Sequence, residues 1–382
     1  MNTMKLLLFT LLLLSALPLC SSQDEDGSSQ DDNIEELPLE TVEAALSSQC
    51  KLRALYDKHR TEHALIRCRK EHPNRMKLLR KTLEKIRLLK RRDDVTWRVG
   101  LTPMADLTES EIETQYHGYN ASAQRADNLM SSSDKTASSL KGAKVPKTWD
   151  WRSPDGKKKH SHVTPVQHQH EPSCWSRAAV VPLEAIMKKA TGQLVALSVF
   201  EFYDCTYKGN NPAGNGDTIH AWQWLARSGR LTSQAEYPDR PGSLPRYDMQ
   251  PAVAATTNYF ANFKLEAMDY NDNELQLINA LYEISPVVVS LYTKGLDLSV
   301  YKGKPFYSTA CTQEQHHAMA AVGYTKHELI IKNSYGTGWG EKGYLLWERG
   351  HVGKNCGLYD DAIFPIVKYR PSVEKEKVKK TK

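Results

Sequence analysis

The sequence predicts an α+β protein with a helix-rich front and a strand-rich back. Two observations carry this: helical apolar stripes dominate the first quarter of the chain, and short strand-like runs crowd its last third. At 382 residues, the chain is also too long for one ordinary domain.

In chain order, Lys5 precedes an apolar run from Leu6 to Leu19, with small residues at Cys20, Ser21 and Ser22. This is the layout of a secretory signal peptide spanning residues 1–22. It is short for a membrane span, and no other stretch reaches 18 apolar residues, so no span is expected after cleavage. Residues 23–40 are acidic and rich in Ser and Asp, with little to bury. Leu52, Leu55, Leu65 and Ile66 suggest one helix; Leu78, Leu79, Leu83, Ile86 and Leu89 make the stripe of a second, with Pro73 in its first turn. Residues 121–144 are Ser-, Ala- and Lys-rich without periodicity and read as a linker. From Trp149 to Tyr369 the chain is dense in aromatics, Gly and Pro. Cys174 to Ala190 reads as a helix stopped by Gly192; Val287–Leu291, Ala318–Val322, Leu329–Ile331 and Tyr344–Trp347 read as strands. Residues 370–382 form a basic tail.

A formal charge of +6, with 25% charged and 40% hydrophobic residues, fits a soluble globular chain and shows no concentrated basic face, so no nucleic-acid partner is expected. Beyond Cys20 there are six cysteines: Cys50, Cys68, Cys174, Cys205, Cys311 and Cys356. An even count in a secreted chain allows three disulfides, unless one cysteine is needed as a thiolate.

Three segments suggest that it is. Val163-Thr-Pro-Val-Gln-His-Gln169 is followed by Ser173-Cys174-Trp175; further on come Gln315-His-His317-Ala-Met-Ala-Ala-Val-Gly-Tyr324 and Ile331-Lys-Asn333-Ser-Tyr-Gly-Thr-Gly-Trp-Gly340. A lone Cys or His is usually core or surface. Together, in this order and spacing, the segments resemble the active-site segments of papain and the cathepsins. The resemblance implies a papain-like two-lobed fold. A helical lobe would carry the nucleophile, and a β-barrel-like lobe would carry His and Asn. It implies a thiol-dependent endopeptidase acting on peptide or protein substrates, without cofactor or metal, as a monomer. Cys174 would be the nucleophile, its pKa lowered by a helix N-terminus and an imidazolium; His317 would be its acid–base partner, Asn333 would orient the ring, and Gln169 would join the Cys174 N–H as oxyanion donor. Substrate would contact Gly216, Asp217, Thr218, Ile219, Ser290 and Gln315, with Asp361 at the base of the specificity pocket, which would accept Arg or Lys as well as Leu or Phe. Cys311 and Cys356 match a half-cystine pair of the family, and Cys205 matches a half-cystine whose partner is absent.

The front of the chain also resembles this family. Glu71, Arg75, Leu79, Thr82, Ile86 and Lys90 follow the spacing of cathepsin L-like propeptides, and Gly100, Thr102, Met104 and Asp106 follow the motif after it. This implies an inhibitory prodomain at 23–143 with a helical core at about 42–110, released in acid as carboxylates such as Asp106 protonate. The mature peptidase domain would be 144–382, in a secreted or lysosomal/vacuolar setting. Whether Cys50 pairs with Cys68 stays open. Asn120-Ala-Ser122 is a glycosylation sequon.

Several positions depart from the family. Gln169 stands five residues before Cys174 rather than six, and both halves of a family disulfide are missing, at His170–Ser173 and at Gly214-Asn-Gly-Asp217. Asp217 replaces a Gly at the cleft rim, Tyr335 replaces a Trp, and Arg177 and Pro182 sit in the nucleophile's helix, where an interior Pro costs roughly 3 kcal/mol. Weakened catalysis is the expectation, with a peptide-binding homologue as the alternative. The cluster His160, His162, His168 and His170 admits a third, metal-binding reading, since H-x-H units chelate.

Overall fold

The structure is a computed structural model that describes residues 36–120, 145–156, 160–206, 213–246, 263–267, 274–312, 317–351, 355–359 and 362–367. The expected signal peptide, linker, basic tail, Gln315 and Asp361 lie outside the described residues.

The N-terminal unit is built from α1 (Leu39–Ser47), α2 (Gln49–Glu62) and α3 (His72–Lys90). Met76, Leu79, Leu83, Ile86 and Leu89 recur at three- and four-residue steps, so α3 buries one stripe against Val42, Ala45, Leu52 and Tyr56 of α1 and α2. Pro73 stands in its first turn, where the missing N–H removes no helical bond. Contrary to expectation, α2 stops at Glu62. Ala64 takes a positive φ of 49°, and Ile66 is 95% exposed, because the chain turns here to bring Arg67 onto Asp106. Residues 98–100 then pair with 300–303, and α4 (Glu109–Tyr116), opened by a Thr108/Glu111 capping box, aims the chain at residues 116–120.

The rest is mixed helix and sheet, as expected. Helix α5 (Cys174–Thr191) ends on Gly192 at φ 79°. It is buried along most of its length against α6 (Val199–Cys205), α7 (Thr218–Ser228) and the sheet. Pro182 leaves α5 uninterrupted; the Trp222 indole donates to the Ala179 carbonyl beside it at 3.1 Å. After α8 (Glu274–Glu283), the strands are β3 (Val287–Leu291), β4 (His317–Tyr324), β5 (Glu328–Lys332) and β6 (Tyr344–Glu348). They join β1 (Trp149–Asp150), β2 (Phe263–Ala267) and β7 (Ile363–Val367) in the order β2-β7-β3-β4-β5-β6, with β1 on β4. The path has two free ends, so the expected barrel is not closed among the described strands. One apolar cluster runs without a break from the α1–α3 bundle into this sheet, through Trp97, Met104, Tyr301 and Trp339. The N-terminal unit is therefore packed as core against the sheet rather than hung beside it.

Candidate active site

Cys174 is the first residue of α5, and the partial positive charge of a helix N-terminus favours a thiolate there. In this structure a stronger effect wins. The side chain is fully buried, and burial pushes the thiol up to about 11, against opposing hydrogen bonds from the backbone of Ala318 and Gly118. The low pKa expected from the sequence is thus not realised while residues 116–120 cover the sulfur.

The partner side chains come from adjacent strands. His317 opens β4 and Asn333 follows the last residue of β5, so antiparallel pairing brings them together. His317 Nε2 lies 2.7 Å from Asn333 Oδ1, which also accepts the Ser334 N–H at 2.7 Å. An oxygen accepting both bonds assigns the ring proton to Nε2 and leaves Nδ1 bare; Nδ1 makes no hydrogen bond. Burial drives the imidazole down to about 4, outweighing Asn333 and the nearby Tyr116 backbone. The Tyr335 ring lies 4.6 Å from the His317 ring, and Trp339 braces Tyr335 from behind at 5.1 Å. Tyr335 therefore covers the His–Asn pair in place of the family's Trp.

Gln169 is fully buried. Its Oε1 accepts from Ser334 Oγ at 2.5 Å, which turns Nε2 outward to donate to the carbonyls of Gln115 (2.9 Å) and Glu171 (3.0 Å). This amide is therefore directed at a carbonyl in the last turn of α4, just ahead of the segment crossing the site. That segment continues past Gly216: the Gly216 N–H donates to Gly118 O at 2.8 Å, the Gly216 carbonyl accepts from Asn120 at 3.0 Å, and Tyr119 forms a parallel bridge. Gly118 is needed for this passage, since a Cβ there would stand 2.1 Å from the Pro172 carbonyl oxygen.

The remaining rim residues are placed differently. Asp217 caps α7, accepting the Ile219 N–H at 3.1 Å. Thr218 donates to the Trp175 carbonyl, Ile219 belongs to the core, and Ser290 is buried opposite Ala318. Cys311 and Cys356 are bonded; Cys205 is buried and in no disulfide, and Cys68 is exposed and in none, so it does not pair with Cys50. The histidines do not converge. His160 pairs with Asp155, His162 packs on Trp151, and His168 stacks beside His170, with no metal-holding group of three or more among the described residues. Sequence reasoning missed Gly118 and the Glu171 carbonyl that accepts Gln169 Nε2. A glycine just ahead of Tyr119 and Asn120 was the only signal for the first.

Comparison with known proteins agrees with this geometry. The profile of the papain family cysteine proteases matches residues 145–366, more than half of the chain. Mexicain of Jacaratia mexicana is 35% identical over 230 residues, covering 59% of this chain and all of mexicain. Papain of Carica papaya is 31% identical over 307 residues, covering 76% and 80%. Among solved structures, the ragweed pollen cysteine protease Amb a 11 in its proform aligns with TM-score 0.69 at 26% identity, over 86% of this chain and 98% of that one. The chain belongs to the papain family of cysteine proteases.

Proposed function

We propose that this protein is an endopeptidase made as a latent zymogen, with its N-terminal unit as the intramolecular inhibitor. The observation that carries the reading is the crossing of Cys174 and His317 by residues 116–120, with the thiol and the imidazole both driven toward neutrality by that cover. Removing the cover re-admits water. The thiol proton then passes to His317 Nδ1, and the helix N-terminus stabilises the thiolate that remains. The thiolate attacks a peptide carbonyl; its oxygen takes hydrogen bonds from Gln169 Nε2 and the Cys174 N–H as negative charge develops. His317 then donates its proton to the leaving amine and, with Asn333 fixing the ring, activates water to release the acyl group.

A cut near Lys144 would free residues 145 onward, where the family match begins. The apolar N-terminal run would direct the chain into the secretory pathway, toward a lysosome, a vacuole or the outside. The test is peptide hydrolysis, together with labelling by a thiol-directed epoxide, before and after acid treatment. Both are expected only afterwards, and Cys174→Ser is expected to reduce turnover by about ten-thousandfold with unchanged circular dichroism. An acid-processed parent that neither cleaves nor labels would leave the peptide-binding homologue as the better reading.

A further inference from the structure

The loop between Gln169 and Cys174 is one residue short and lacks its family crosslink, so something else must fix it. In its place stands a buried charged cluster. Arg177 lies in the first turn of α5, and helical side chains lean toward the N-terminus, which carries its guanidinium back over the loop. The side chains of Arg177 and Glu171 are only 3% and 2% exposed. Arg177 donates to Glu171 Oε1 at 2.7 Å, Ser173 Oγ at 2.8 Å, Gln167 Oε1 at 3.0 Å and Asp239 Oδ2 at 3.0 Å. Glu171 is held in turn by Ser173 Oγ at 2.5 Å, the Gly242 N–H at 3.0 Å and the His170 N–H at 3.3 Å. The carbonyl of Glu171 accepts Gln169 Nε2 at 3.0 Å and the Ser173 N–H at 2.7 Å.

We propose that Arg177 is a positioning residue for the peptidase reaction: through Glu171 it clamps the shortened loop and keeps the Gln169 amide aimed at a carbonyl in the cleft. The proposal rests on the endopeptidase reading above. A buried ion pair adds little net stability, because desolvation offsets the attraction, so its signature belongs in geometry rather than in folding free energy. Only a planar guanidinium can donate in all of these directions at once; a lysine keeps the charge and loses the fork.

The full chain is compared, after acid processing, with Arg177→Lys, with the charge-free double variant Arg177→Met/Glu171→Gln, with Gln169→Ala, and with all three changes together. The double variant is expected to lose kcat by about ten- to a hundredfold, with KM within about twofold. Alkylation of Cys174 by iodoacetamide, which needs no oxyanion donor, is expected to keep its rate. Arg177→Lys is expected to fall in between, and Gln169→Ala is expected to cost nothing more once the clamp is gone. Losses that multiply, or a KM effect alone, would overturn the proposal. Hydrogen exchange at the Gln169, Ser173 and Gly242 amides in the uncut precursor gives a reading independent of activity. Unchanged protection in the double variant also overturns the clamp. A parent without turnover sinks the endopeptidase reading instead, and exchange still judges the clamp. If the double variant does not fold, Arg177→Lys decides by the same measurements.

Discussion

The N-terminal unit is secured by two polar regions that yield to acid over different ranges of pH. In one, arginines meet carboxylates: Arg67 with the buried Asp106 at 2.9 Å, and Arg75 with Glu111 at 2.7 Å. Arg75 holds Glu111 down to about 2. In the other, histidines sit at the contact with the peptidase domain. His59 is fully buried, and neither of its ring nitrogens has a partner. His63 packs on Gly338, and His168 meets the Tyr116 hydroxyl at 3.0 Å. Burial lowers His59, His63 and His168 to about 4 each, against the raising influence of Asp106 on the first two and Glu171 on the third. Lys302 lowers His59 and His63 further; His170 and Arg177 do the same to His168.

The sign follows from linkage. A histidine with a lowered folded pKa costs nothing above its ordinary value of about 6.5. Below that, the released state binds protons that the closed state refuses, so closure weakens progressively down to about pH 4. Glu111 acts in the same direction but at lower pH: its contribution to closure is present above the ordinary carboxylate pKa and is lost only as pH falls toward 2. On the zymogen reading proposed above, a mildly acid release would draw first on these histidines and only at lower pH on Glu111.

The strongest way to break this comparison is to bypass both regions. Gly118→Ala sets a Cβ against the Pro172 carbonyl and expels the crossing segment, so the uncut precursor is expected to label with the epoxide at pH 7 about a hundredfold faster than the parent, near 3 kcal/mol of lost closure. Unchanged labelling would mean that the segment can shift without opening the site. Sharper discrimination comes from His59→Phe, which keeps a ring but cannot take a proton. The pH midpoint of release, followed by labelling, is expected to fall by about half a unit with a shallower slope. An unmoved midpoint would exclude His59 from the trigger. Arg75→Met is expected to cost closure about 1 kcal/mol, because the pair is partly exposed and screened, and to make release less salt-dependent. Its effect is read from the labelling rate at low and high salt. Cys68→Ser, at an exposed free thiol, is expected to leave the midpoint and the labelling rate alone. Any shift would give that thiol a role its geometry does not suggest.

Much of the site was legible before folding was considered. Cys174, His317 and Asn333 carry local signatures, because a helix start, a strand start and a strand end are set by neighbouring residues. The helix boundaries at Pro73 and Gly192 were readable for the same reason. The end of α2 was not, since its apolar spacing continues to Ile66 while a distant Asp106 draws the chain aside.

The sequence by itself determined the order of elements, the chemistry-bearing residues and the family to which they belong, all of which depend on short-range pattern. Tertiary structure alone decided what those residues experience. Asp217 became a helix cap, Arg177 entered a buried ion pair with Glu171, and burial pushed the Cys174 thiol up and the His317 imidazole down. Burial and electrostatics set each of these outcomes, and both are sums over neighbours far apart in the chain, which no local motif contains.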